Sequence, residues 1–317
     1  MKPFDHASAD AARERQDILT KPPGSLGRLE ELAIFMAGWQ GRAVPVLNRA
    51  QAVVFAGNHG IVAQGVNPFP QQVTALMVDN FRTGGAAINQ LCKVAGAHLS
   101  VVPLDLDRPT GDFTQGPAMA EAEVAAAMET GASAVDADAD VLLLGEMGIG
   151  NSTVAAVQAA AVLGGTGADW VGPGTGANSE EMDNKRRAVD EGLARHQGGG
   201  TTAVLSAFGG REQAAICGAI LRARELNLPV ILDGFICTAA AAVLTLDNAE
   251  ALEHCLIGHQ STEPGHRRML DALKMSPILS LDMRLGEGSG AAVALMVLRG
   301  AIACHADMAT FAEAGIG

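Results

Sequence analysis

Residues 141–153 read VLLLGEMGIGNST. The aliphatic run 141–144 does not alternate with polar residues, which suits a strand covered on both faces, as in a parallel sheet. Glycines 145, 148 and 150 follow at once, with Glu146 among them, and Asn151, Ser152 and Thr153 open an Ala-rich helical run to 163. Glycines let backbone amides converge, a helix N-terminus carries partial positive charge, and Asn and hydroxyl side chains add donors. Such a turn can cradle a phosphate. It can equally be an ordinary strand-to-helix turn with Asn151 or Ser152 as N-cap, and spacing alone leaves both open.

The same order recurs on either side. Apolar runs at 52–56, 99–104, 170–171, 230–232 and 255–257 read as further strands. Helical patterns occupy 71–81, 85–95, 119–134, 152–163, 179–196, 212–226, 235–246 and 263–273. Repeated strand-then-helix order predicts an α/β fold with a doubly wound, mostly parallel sheet. Residues 46–285 form the expected large domain, and 1–45 with 286–317 a small helical subdomain from the chain ends. In such sheets ligands sit outside the carboxyl ends of the strands. Gly57-Asn58-His59-Gly60 and Gly145-Glu146-Met147-Gly148 fall there, which brings His59 within reach of a ligand.

Composition narrows the function. The chain of 317 residues carries 35 acidic and 22 basic side chains, a formal charge of −13. With 48% hydrophobic and 18% charged residues it is a globular composition. The acidity and the lack of a basic stripe argue against nucleic acid. Glycine, 38 residues against a typical ~7%, points to tight loops at strand ends. Five scattered cysteines without a CxxC pair fit a reducing compartment. The polar N-terminus and interrupted apolar runs, shorter than the ~20 residues of a membrane span, predict a soluble cytoplasmic protein with no membrane partner.

Other glycine motifs stand out. GPGTGA (172–177) formally satisfies the dinucleotide pattern GxGxxA, loosely because of its Pro and extra Gly. Lys185 follows on a helix, where spacing alone reads it as a solvated lysine beside Arg186 and Arg187. RLGEGSG (284–290) sets Glu287 between glycines before an Ala-rich helix, a placement that costs helix stability and points to close ligand approach. KPPGSLGRLE (21–30) reads as a structural elbow with Ser25 as cap. The histidines lack metal-ligand spacing, so no metal is expected. There is no P-loop lysine motif and no GxSxG elbow.

Taken together and in order, KPPGSLGRLE, GNHGIVAQGV (57–66), GEMGIGNST (145–153), GPGTG…DNK (172–185), LDGF (232–235) and RLGEGSGAA (284–292) resemble the nicotinate-nucleotide:dimethylbenzimidazole phosphoribosyltransferase (CobT) family. The resemblance implies an α/β/α large domain, a small domain from both chain ends, a homodimer, and no cofactor or metal. It implies transfer of ribose 5-phosphate from nicotinate mononucleotide to 5,6-dimethylbenzimidazole, giving α-ribazole 5′-phosphate and nicotinate, in assembly of the cobalamin nucleotide loop. Glu287 would be the general base. Glu146, Gly148, Asn151, Ser152, Thr153, Gly174, Gly176 and Lys185 would line the nucleotide and its phosphate. Phe69 and Met77, which stand where a relative has a Ser and a Gln, would make an apolar wall for the base, with His59 beside it. Asn58 replaces an Asp of many relatives.

That chemistry suits these residues. The donor's pyridinium nitrogen leaves with its charge neutralised, so the leaving group needs no acid. The attacking benzimidazole has one free lone pair, and its other N–H becomes acidic as the bond to C1′ forms. One carboxylate within ~3 Å can take that proton. In-line attack inverts C1′, and a remote phosphate anchor serves orientation. Two other readings compete: an NAD-dependent oxidoreductase, from GxGxxA, and a non-catalytic benzimidazole or corrinoid binder. Neither gives Glu287 a task.

Overall fold

The computed structural model describes residues 3–174 and 176–316, so Thr175 of the second glycine motif lies outside the described residues. Six strands form one sheet: β1 (Ala50–Ala56), β2 (Ala97–Pro103), β3 (Val141–Met147), β4 (Val230–Leu232), β5 (Cys255–His259) and β6 (Pro277–Leu279). Their order is β2-β1-β3-β4-β5-β6, and every pairing is parallel. The alternation of side chains explains the continuous apolar runs. Val53, Phe55, Leu142, Leu144 and Leu232 enter one core, while Ala52, Val54, Leu143 and Ile231 enter the other. Helices Asn151–Leu163, Arg211–Glu225 and Phe235–Val243 cover the first face. Helices Arg28–Gln40, Ala87–Ala95 and Ser289–Asp307 cover the second. The molecule is therefore a three-layer α/β/α fold.

The chain leaves β1 in one direction to reach β2, then returns to place β3 on the other side of β1. A crevice is lined from β3, β4 and β5, through Glu146, Asp233 and His259, beside the reversal itself, which lies at the carboxyl ends of β1 and β3. Both ends carry the glycine turns, and Gly57 N–H donates to Met147 O at 3.0 Å across them.

The chain ends meet. Leu19 and Thr310 form an antiparallel bridge, Gln16 Nε2 lies 2.8 Å from His305 Nδ1, and Arg15 donates to the carbonyls of His305 and Ala306. The last helix also shares a core with the strands: Ala291, Leu295 and Leu298 pack with Leu143 and Leu256. Ser289–Asp307 is the one helix, among the described residues, long and apolar enough to cross a membrane, and this packing gives its apolarity a core role.

Two expectations need correction. Residues 170–171 are not a strand. Trp170 ends a short helix, Gly167–Trp170, whose start is fastened by Thr166 and Asp169, and its indole donates to Gly164 O at 2.8 Å. The capping residues, and not the short apolar pair, decide the local structure. The sixth strand instead lies at 277–279, opening on Pro277 at the sheet edge, where a missing N–H costs no ladder bond. Helix Thr201–Phe208 is a further element without a sequence signal of its own.

Helices Glu121–Ser133 and Arg211–Glu225 approach so closely that a Cβ on Gly131 would overlap Ala215 O, and one on Gly218 would overlap Met128 O. Backbone cannot yield as a side chain can. Gly218→Ala should therefore lower stability in urea unfolding by ~1–3 kcal/mol, the range for overpacked cores. Gly300 on the last helix has nothing within 4 Å of the added methyl, and Gly300→Ala should raise stability by ~0.5–1 kcal/mol.

Candidate active site

Asp233 ends the segment after β4 and organises the crevice. Its Oδ1 accepts the Ala291 amide at 3.0 Å and its Oδ2 the Gly288 amide at 3.2 Å. The carboxylate thus satisfies free amides at the start of helix Ser289–Asp307. The chain enters this helix through Gly286, Glu287 and Gly288, with φ of +84°, +65° and +84°. Left-handed backbone is natural for the glycines and costly for a glutamate, a pattern concentrated at functional sites. A Cβ on Gly145 would lie 2.5 Å from Gly288 N and 2.6 Å from Glu287 C. Glycine at the end of β3 is thus what lets the Glu287 backbone lie against the sheet.

Around this point acids crowd together. Glu146, Asp233 and Glu287 are all buried. Burial pushes Glu146 up to about 8, assisted by the charges of Asp233 and Glu212, while its hydrogen bond from Asn151 Nδ2 opposes the rise. Burial also lifts Asp233 to about 7, against the pull of the amides of Ala291, Gly290 and Gly288. Glu287 rises to about 7 through burial and then the Asp233 charge. Near neutral pH Glu146 holds a proton, so it does not repel an anionic ligand. Glu287 stands at the balance point that suits a general base. Its Oε2 is buried with no hydrogen-bond partner. The three titrate as a coupled set.

The cleft they share has the apolar side chains of Met147, Ile149, Phe235, Ile236 and Leu285 in its lining. Ser152 and Gly174 line it too. Behind them Lys185, 2% exposed, donates to Ser152 Oγ at 3.1 Å and to Gly172 O at 2.7 Å. Its burial lowers its pKa, while Glu263 and Glu181 favour the charged form. Arg284 Nη1 donates to Gly174 O at 2.6 Å, tying the Glu287 loop to this turn. The cleft therefore combines apolar side chains with the turn that Lys185 and Arg284 hold, and Glu287 lies on its wall.

The residues expected at the site divide. Glu287, Glu146, Gly148, Asn151, Ser152 and Gly174 line the cleft. Lys185 is not the solvated helix lysine that spacing gives; it is buried one layer behind. Thr153 is fully buried in helix Asn151–Leu163, and Gly176, at φ +131°, is outside the lining. Neither Asn151 nor Ser152 caps that helix: Gly150 does, at φ +92°, and Asn151 turns to Glu146.

None of the three residues expected against the base lines the cleft. His59 is 0% exposed, with Nε2 3.0 Å from Glu212 Oε1 behind the glycine turn, although the two are not aligned as a hydrogen bond. Phe69 is 44% exposed and its amide binds Asn67 Oδ1 at 2.8 Å. Met77 packs on the second core. Position in a motif does not reveal which way these side chains turn. The turn at 172–177 follows a helix, so it lacks the strand that the dinucleotide fingerprint requires.

Sequence reasoning misses Asp233, His259 and Glu263. Asp233 sits in the LDGF motif, which gives it no role. His259 is buried on the cleft wall with Nε2 3.8 Å from Asp233 Oδ1, and metal-ligand spacing is the wrong signal for it. Glu263 reads only as the start of a helix.

Residues 1–316 match the DBI_PRT family, described as phosphoribosyltransferase. A Rhodobacter capsulatus protein named nicotinate-nucleotide–dimethylbenzimidazole phosphoribosyltransferase is 59% identical over 312 residues, covering 98% of this chain and 93% of its own. A Roseobacter denitrificans protein of the same name is also 59% identical, over 313 residues, with 98% and 93% covered. The crystal structure of the Thermus thermophilus enzyme of that name superposes with a TM-score of 0.92 at 41% identity, covering 99% of both chains. With these matches running almost end to end, the chain belongs to the nicotinate-nucleotide–dimethylbenzimidazole phosphoribosyltransferase family.

Proposed function

We propose that this chain transfers ribose 5-phosphate from nicotinate mononucleotide to 5,6-dimethylbenzimidazole, with Glu287 as general base. The observation that carries the reading is the Glu287 carboxylate itself: buried on the cleft wall, with one oxygen unbonded and with a proton affinity close to neutral. The relatives' names supply the substrates. In this reading the benzimidazole lies in the slot of Met147, Ile149, Phe235, Ile236 and Leu285, and Glu287 accepts its N–H proton as the other nitrogen attacks C1′. Ser152, the Gly174 amide and Lys185 form the seat of the 5′-phosphate. That seat anchors the donor so that its pyridinium leaves in line, with inversion at C1′. Chain dimerisation and a cytoplasmic location belong to the same reading. Exposed Leu281 and Leu285, 56% and 48% accessible, support a subunit contact beside the cleft, and five free cysteines suit a reducing compartment.

Removal of the base is the first test. Glu287→Gln keeps the shape of the side chain and should lower kcat/KM for transfer by roughly 10²–10⁴-fold, the usual worth of a positioned base, with an unchanged circular dichroism spectrum. Turnover like that of the wild type would dismiss Glu287 from the role.

The pH profile gives a second. Glu287 works ionised, so log kcat/KM should climb as pH rises through about 7, where its proton is lost, and level off above. Asp233 raises that midpoint by its charge, so Asp233→Asn should move the acidic limb to lower pH. A limb that stays put or moves upward would break the link between the two acids.

The slot also bears on the acceptor. Its apolar lining should favour dimethylbenzimidazole over adenine in a mixed-acceptor assay read by mass spectrometry; equal or greater use of adenine would contradict the assigned slot.

A further inference from the structure

One acid of the cleft has no part in the proposed transfer. Glu263 precedes Pro264, the first residue of helix Pro264–Leu273, and is 7% exposed on the cleft wall. Its Oε1 accepts the Gly174 amide at 2.8 Å. Its Oε2 is buried and meets no donor. That oxygen packs so tightly on Gly172 that any Cβ there would overlap it. Burial raises the Glu263 pKa above the usual glutamate value, while Lys185, the Gly174 amide and Arg284 pull it back toward the ionised form. A carboxylate therefore already holds an amide that the proposed function gives to the substrate's phosphate, and it feels the charge of the same buried ammonium.

We propose that Glu263 is a specificity-determining residue: its carboxylate competes with an incoming phosphate for the Gly174 amide and the Lys185 charge, and so excludes bare phosphate from the seat. This inference rests on the placement of the phosphate seat given above. Two anions cannot share one amide, and in a buried site their mutual repulsion is strong. Inorganic phosphate brings only its own contacts to displace Glu263. Nicotinate mononucleotide adds ribose and pyridinium contacts elsewhere in the cleft, and that remote binding energy offsets the displacement. The alternative is that Glu263 merely fastens the glycine turn, in which case its loss loosens the seat. The unpartnered Oε2 favours the competitor role, because a fastener has no use for a buried free acceptor.

The experiment uses inorganic phosphate as the probe, titrated calorimetrically into the full chain and assayed as an inhibitor competing with nicotinate mononucleotide. Glu263→Gln keeps the side chain's size and an acceptor for the Gly174 amide but removes the charge. It should bind phosphate at least ~10-fold more tightly than the wild type, which corresponds to about 1.4 kcal/mol, and its KM for nicotinate mononucleotide should fall. Glu263→Asp, which keeps the charge, should return both values toward the wild type. Adding Lys185→Ala to Glu263→Gln should abolish the gain. If Glu263→Gln folds poorly by circular dichroism, Glu263→Ala carries the same expectation. Equal or weaker phosphate binding by the charge-free variants, or a higher KM, overturns the inference. If phosphate still competes through Lys185 in that case, the seat stands and only the role of Glu263 falls. If Lys185→Ala changes the binding of neither phosphate nor nicotinate mononucleotide, the seat is misplaced and both fall together.

Discussion

The grip of one carboxylate on a helix start governs this site. Asp233 comes from the middle of the sheet and takes the Gly288 and Ala291 amides, which would otherwise be unsatisfied donors at the head of the last helix. That helix also forms part of the core on the sheet's second face, and Arg284 ties the other end of the loop to Gly174, so the loop is fixed at both ends. Glu287 sits in that loop with left-handed backbone, against a glycine of the neighbouring strand. The strain is local and the packing that holds it is extensive, which is how such a conformation persists.

The same grip sets the electrostatics. It brings Asp233 close to Glu287 and Glu146, and three acids cannot all ionise cheaply in a buried cleft. Burial, with that crowding added to it, lifts Glu146 to about 8 and Glu287 to about 7. Proton affinity here is a property of the sheet's geometry: the crossing between β1, β3 and β4 assembles acids that lie far apart in the chain. Elsewhere in the cleft Lys185, Arg284 and Glu263 meet through the turn at Gly172 and Gly174, two cations and one acid each bonded to that backbone.

Much of this architecture is legible in the residues. Continuous aliphatic runs mark β1, β3, β4 and β5 because both faces of the sheet are covered, and glycines mark the ligand side because close backbone approach needs them. Glu287 stands out because a carboxylate between glycines is a poor helix start. What stays hidden depends on partners distant in sequence. Trp170 looks like strand until its capping residues are considered, and β6 is masked by its proline. Lys185 reads as solvated until helix Ser179–Arg195 folds it against Ser152 and Gly172. Asp233 acts on amides more than fifty residues away. The directions of His59, Phe69 and Met77 follow from tertiary packing, so a motif match can assign them to the base but cannot aim them.

In the proposed reaction Glu287, held by Asp233, faces the proton-bearing edge of the acceptor ring. A crystal structure with dimethylbenzimidazole and nicotinate bound tests it most directly. A Glu287 carboxylate oxygen is expected within ~3 Å of the ring N–H, with the two Asp233 bonds to the helix start intact. A ring whose N–H meets another group, with Glu287 turned away from it, would rule Glu287 out as the base.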